Sequence, residues 1–167
     1  MEIREMTQSS HDLNQLCQLL IDAVDSGASI GFLAPLSYER AQKYWEQVLS
    51  SLCRDFILLG AFEGESLVGS VQLECSGKEN AAHRAEVQKL FVLRTYRGKG
   101  IAKKLMLRTE ELAKSCNRTL LVLDTKQGDN AEFLYPKLGY QRAGSIPNFA
   151  MNSDGGFGAT VIFYKEL

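Results

Sequence analysis

The clearest chemical signal in this 167-residue chain lies between residues 89 and 108. A strand-like apolar run, Leu90-Phe91-Val92-Leu93, leads into the turn Arg97-Gly98-Lys99-Gly100-Ile101-Ala102, and a helical pattern follows at once. Glycines at 98 and 100 stand where backbone must approach a ligand closely. No Ser, Thr, Asp or Asn directly precedes the helix to cap it. Its first N–H groups therefore stay free and point out of the positive end of the helix dipole, which suits a phosphate or pyrophosphate. The same segment could be a plain strand-to-helix connection. Its cations Lys89, Arg94, Arg97, Lys99, Lys103, Lys104 and Arg108 could equally form a solvated face. The spacing is neither G-x-G-x-x-G nor G-x-x-x-x-G-K-[ST], which removes the dinucleotide-fold and P-loop readings.

Three further side chains could do proton chemistry. Asp124 ends a short buried strand, Leu121-Val122-Leu123, and Glu86 lies on another strand four residues before Leu90. Tyr135 shares a helical stripe with Ala131, Leu134 and Leu138. Taken from periodicity alone, these are a turn or helix-cap carboxylate, an outward strand residue and a core tyrosine. Cys17, Cys53, Cys75 and Cys116 form no C-x-x-C pair, and His11 and His83 have no ligand spacing, so no metal site is expected.

The elements that must position these residues can be read from periodicity. Residues 2–6 form a short edge strand, and a helix starting at Ser10 carries Leu13, Leu16, Cys17, Leu20 and Val24 on one face. A Gly-containing apolar loop, 26–36, precedes a second helix from Ser37 to about Cys53. Strands over 56–62 and 67–75 are joined at Gly64-Glu65 as a hairpin, and a third strand covers 84–93. The next helix buries Ala102, Leu105, Met106, Thr109, Leu112, Ala113 and Cys116, and residues 120–123 form the next strand. Asp129 with Glu132 reads as a capping-box variant opening a fourth helix, which Pro136 should kink or shorten and Gly139 should close. Strands over 140–146 and 159–164 flank a Gly/Asn/Asp loop. The order βααβββαβαββ implies one domain over 1–167, a mixed sheet covered by helices.

Bulk properties agree with a globular domain: 45% apolar, 23% charged, net charge −1. The near-neutral balance and the lack of a recognised binding module argue against a nucleic-acid partner. The start has no basic-then-apolar leader, and no apolar run approaches the ~20 residues that span a bilayer. Scattered, core-like cysteines favour a reducing compartment, so a cytoplasmic location is expected.

Arg97-x-x-Gly100-x-Ala102 resembles the Q/R-x-x-G-x-G/A signature of the GNAT N-acetyltransferase superfamily, and the element order resembles that family along essentially the whole chain. The resemblance implies an α/β (α+β) GNAT fold, a mixed, mostly antiparallel sheet of about six to seven strands flanked by four helices. It implies acetyl-CoA as cosubstrate, with the pyrophosphate on the backbone of Arg97, Gly98, Lys99, Gly100, Ile101 and Ala102. Leu90, Phe91 and Val92 would align the pantetheine arm and acetyl carbonyl, and Asn130 and Lys137 would lie near the coenzyme. Tyr135 matches the tyrosine that such enzymes use as general acid at the coenzyme sulfur. The segments SGASIGFLAPL, HRAEVQKLFVL and LLVLDTKQGDNAEFLYPKLGYQRAG look like the tabtoxin-resistance branch, which acetylates a β-lactam amino-acid toxin. That likeness makes Asp124 the base, whereas Glu86 matches the base position of the histone-acetyltransferase branch.

The chemistry expected is thus acetyl transfer to an amine. A lysine-like amine with pKa ~10.4 costs roughly 4–5 kcal/mol to deprotonate at pH 7, whereas an α-amine near 8 costs only about 1 kcal/mol. The acceptor expected is a small-molecule amine, an amino acid or amino-acid-like toxin, held by the loops 27–36 and 147–158. A protein N-terminus or lysine is the alternative within the same chemistry, and a non-catalytic acyl-CoA sensor is the alternative outside it. No membrane partner is expected, and the resemblance makes a homodimer a fair expectation.

Overall fold

The computed structural model describes residues 1–8 and 12–167. Seven strands form one sheet in the order β1-β2-β3-β4-β5-β7-β6. They are β1 (Glu2–Glu5), β2 (Phe56–Glu63), β3 (Ser66–Cys75), β4 (Arg84–Val92), β5 (Leu120–Lys126), β6 (Gln141–Met151) and β7 (Phe157–Glu166). Every neighbouring pair is antiparallel except β4–β5, which is parallel. Helices α1 (Leu13–Asp25) and α2 (Tyr38–Ser51) cover one face and α3 (Ile101–Ser115) the other. The element order is the one read from periodicity. The expected start of α1 at Ser10 lies outside the described residues.

Two cores follow from this layering. Leu16, Leu20, Val24, Trp45 and Leu49 pack with Leu58, Phe62 and Phe91 on one face. Leu105, Met106, Leu112 and Ala113 pack with Leu59, Val71, Leu73, Leu121 and Phe163 on the other. Ser37 caps α2 by accepting from the Arg40 N–H at 3.4 Å, as a serine at this position should. Among the described residues no helix is long and apolar enough to cross a membrane.

Two elements differ from the expectation. The fourth helix is a pair of 3₁₀ turns, Asn130–Phe133 and Pro136–Leu138, separated where Pro136 lacks a backbone donor. Asp129 caps the first by accepting from the Asn130 N–H at 2.9 Å, while Glu132 accepts from the Gly128 N–H at 2.6 Å instead of closing a reciprocal box. The segment 147–158, read as a loop, is mostly strand. β6 continues to Met151, and only residues 152–156 connect it to β7. Pro147 and Asn148, the latter at φ +52°, sit in a register irregularity between Ile146 and Ala150. That bulge lets the strand pass through residues that signal a turn.

Gly69 on β3 sits where sheet and α3 touch. A Cβ there would lie 2.8 Å from the Phe91 carbonyl oxygen and 3.2 Å from Leu105 Cδ1. Gly69→Ala is therefore expected to destabilise the fold by about 1–3 kcal/mol, read from the urea midpoint of unfolding.

Candidate active site

The site begins with a bulge. Ser70 pairs Phe91 and Gln72 pairs Gln88, so Val71 alone faces both Lys89 and Leu90. Lys89 takes φ +53°, a left-handed conformation uncommon for a non-glycine residue. The extra residue inverts the alternation of β4. Ala85 and Val87 point into the α3-side core before the bulge, and Leu90 and Val92 do so after it. Phe91 is turned to the opposite core, where its ring stands edge-on to Trp45 at 6.4 Å and 88°.

The sheet opens past Glu86, three residues ahead of the bulge. β4 and β5 are in register only at Arg84↔Leu120, Ala85↔Leu121 and Glu86↔Val122. From there β5 pairs only β7, and the edge of β4 facing it has no strand partner. The gap is a cavity of about 90 Å³. Lys89 and Leu90 line it from β4, Asp124 and Thr125 from β5, Tyr135 from the 3₁₀ segment, and 28–30 from the loop after α1.

At the end of β4 the chain turns into α3. Gly98 and Gly100 have φ +78° and +77°, and nothing lies within 4 Å of a Cβ built on either. Gly100 precedes α3 with no side-chain cap, and the first helical bond is Lys104 N–H to the Gly100 carbonyl at 3.1 Å. The N–H groups of Ile101, Ala102 and Lys103 are thus unclaimed among the described residues. Arg97 is exposed, and its guanidinium donates to the Val92 carbonyl at 3.1 Å and to Ser26 Oγ at 2.8 Å. Lys99 Nζ sits 4.5 Å from the Tyr96 ring centroid.

Tyr135 is 5% exposed, held against Phe163 at 5.5 Å and Tyr140 at 5.8 Å between ring centroids. Its hydroxyl has no hydrogen-bond partner among the described residues. Burial first, then the charges of Asp124 and Asp129, push its pKa well above the usual phenol value, so it remains protonated through the neutral range. Asp124 Oδ2 accepts from the buried Thr160 hydroxyl at 2.7 Å, which fixes the carboxylate at the cavity wall.

Glu86 stands apart from the cavity lining. It is the register partner of Glu74, whose Oε2 accepts from Gln88 at 2.9 Å. Burial first, then Glu74 and Asp124, raise its pKa. Asn130 is exposed beside the cavity, its flanking residues Asp129 and Ala131 lining it. Lys137 is exposed and outside the lining.

Lys89 is the site residue that sequence reasoning did not single out. It was one cation of a basic run, and nothing in its neighbours marks a bulge. A larger cavity of about 610 Å³ lies at the opposite ends of β4 and β5, lined by Arg54, Asp55, His83 and Arg118. There Arg118 is already committed to the Ala82 carbonyl and to Asp55 at 3.1 Å. It contains neither the glycine turn nor Asp124 and Tyr135. Among the described residues no group of three or more His, Cys, Asp or Glu side chains could hold a metal ion.

A mixed sheet that opens near a bulge, with a glycine turn starting the following helix, defines a class that comparison with known proteins identifies. The acetyltransferase (GNAT) family pattern matches residues 15–140. An uncharacterized N-acetyltransferase from the hisH-hisA intergenic region of Azospirillum brasilense is 32% identical over 123 residues, 72% of either chain. The chain therefore belongs to the GNAT acetyltransferase family and is an acetyl-CoA-dependent N-acetyltransferase. A ribosomal-protein-alanine N-acetyltransferase from Brucella melitensis shares the fold with a TM-score of 0.82 at 22% identity, covering 100% of both chains. A candidate acetyltransferase from Salmonella typhimurium, solved with its cofactor acetyl-CoA, shares it with a TM-score of 0.81 at 18% identity, covering 100% of this chain and 94% of that one.

Because the Tyr135 hydroxyl makes no hydrogen bond among the described residues, removing it breaks none. Tyr135→Phe is expected to change the unfolding free energy by less than about 0.5 kcal/mol, measured by urea titration.

Proposed function

We propose that the chain transfers acetyl from acetyl-CoA to the primary amine of a small molecule, an amino acid or amino-acid-like compound. The observation that carries this reading is the single cavity shared by Asp124, Tyr135, the bulged strand and the 28–30 loop.

The residues present suit acetyl-CoA. The turn 98–102 offers unclaimed N–H groups at a helix N-terminus, and the open space at both glycines leaves backbone approachable by a pyrophosphate. The unpartnered edge of β4 at Leu90 offers backbone groups to the pantetheine arm. The coenzyme supplies an acetyl thioester; the chain must accept a proton from the amine and return one to the sulfur.

In this reading Asp124 takes the proton. It lines the cavity, and its Oδ2 accepts from the Thr160 hydroxyl. Tyr135 returns a proton to the thiolate, its phenol kept protonated by burial. Glu86, the alternative base, lies outside the cavity lining, which favours Asp124 in that role. The likeness to the tabtoxin-resistance branch points the same way for the acceptor class.

The test is thiol release from acetyl-CoA across free L-amino acids, spermidine, kanamycin and β-lactam amino acids. A small-molecule acceptor is expected to give turnover that falls about 100-fold or more in Tyr135→Phe, with acetyl-CoA affinity by calorimetry unchanged. Silence across the panel, with acetyl-CoA still bound, would transfer the reading to a protein amine or a coenzyme sensor.

A further inference from the structure

The lysine at the bulge has no part in the proton transfers above, yet its position is costly. The left-handed backbone at φ +53° is one that glycine adopts without strain. A lysine there is explained by its side chain, which is half-buried and reaches across the cavity. Its Nζ donates to the Ile30 carbonyl at 2.7 Å. It also packs at the turn of Gly31, where a Cβ would lie 3.7 Å from it.

The segment it reaches packs Ile30, Phe32 and Ala34 against the core but has few hydrogen bonds to it. Gly27 and Gly31 both have left-handed φ, +87° and +90°, and residues 29–36 contain no regular structure. Among the described residues, two hydrogen bonds join that segment to the rest of the fold. One is Lys89 to Ile30, and the other is Ala34 N–H to Ser153 Oγ at 2.9 Å. Ala28, Ser29 and Ile30 line the same cavity as Asp124. Burial lowers the Lys89 pKa, and the charges facing the ammonium, Asp124 and Glu86, oppose that shift.

We propose that Lys89 is a positioning residue of the acceptor site: its ammonium fixes the Ile30 carbonyl and so holds residues 28–31 as the wall opposite Asp124. The proposal rests on the small-molecule acceptor reading for its consequence, the acceptor affinity, but the tie itself does not. A bulge that needed only backbone would be served better by glycine, so Lys89→Gly separates the two roles. It relaxes the backbone while removing the tie. Lys89→Arg keeps a charged donor, and Lys89→Met keeps the apolar stem alone.

The experiment compares the full-length wild type with these three variants. Amide hydrogen exchange is followed over 28–36 without ligand, acetyl-CoA affinity by calorimetry, and KM and kcat for the fastest amine of the panel. Lys89→Gly and Lys89→Met are expected to exchange about tenfold faster over 28–36 while core strands stay protected. Acceptor KM should rise about tenfold, with acetyl-CoA affinity within about twofold of wild type. Lys89→Arg should recover most of both changes. Wild-type exchange and KM in Lys89→Gly and Lys89→Met would overturn the proposal, as would a loss of acetyl-CoA affinity in step with the rise in KM. If Lys89→Gly fails to fold, Lys89→Met decides by the same readouts. If no panel amine turns over, the small-molecule acceptor reading fails on its own test, while the exchange comparison still decides the tie.

Discussion

Where β3 supplies one residue, Val71, β4 supplies two, Lys89 and Leu90. An extra residue in one strand leaves the ladder locally broken, bends the strand and turns its side chains to the other face. Here each consequence is used. The bend accompanies the end of pairing between β4 and β5 after Glu86 and Val122. The inversion sends Phe91 into the core beneath α1 and α2 and brings Leu90 to the cavity wall. Without it Phe91 would project toward α3.

The rest of the fold holds that opening in place. Arg94 and Arg97 anchor the start of the glycine turn to α1: Arg94 bonds Asp22 at 2.7 Å, and Arg97 joins the Val92 carbonyl to Ser26. The Arg94 pair is exposed and contributes little to stability, but it fixes direction. On the other flank Tyr135 leans on Tyr140 and Phe163. Beneath them Lys165 bonds Glu110 and the Leu138 carbonyl, each at 2.7 Å. The phenol that faces the cavity thus stands on rigid packing.

Much of this was legible in the sequence because the relevant signals are local. The glycine turn, the uncapped start of α3 and the apolar stripes of α1 and α3 depend on neighbouring residues, and the buried faces of both helices are the ones their patterns marked. Asp124 stood out as a carboxylate closing an apolar run, but pairing with β7 carries the strand two residues past it, to Lys126. What was not legible depends on pairing between distant segments. The bulge at Lys89 arises from register against β3, and no glycine marks it. The length of β6 was hidden because Pro147 and Asn148 signal a turn, and only pairing with β7 carries the strand past them. The fourth helix broke where Pro136 said it would. The part that Pro136 could not announce was that both fragments would tighten into 3₁₀ turns.

The central claim is that acetyl-CoA enters where β4 and β5 part and rests its pyrophosphate on the turn before α3. Titrating the isotopically labelled protein with acetyl-CoA and following its backbone amide resonances tests this most directly. The account predicts that the largest shifts fall on residues 90–92 and 98–103, with smaller ones at 124–135. Shifts confined to the larger cavity, around Asp55, His83 and Arg118, would contradict it.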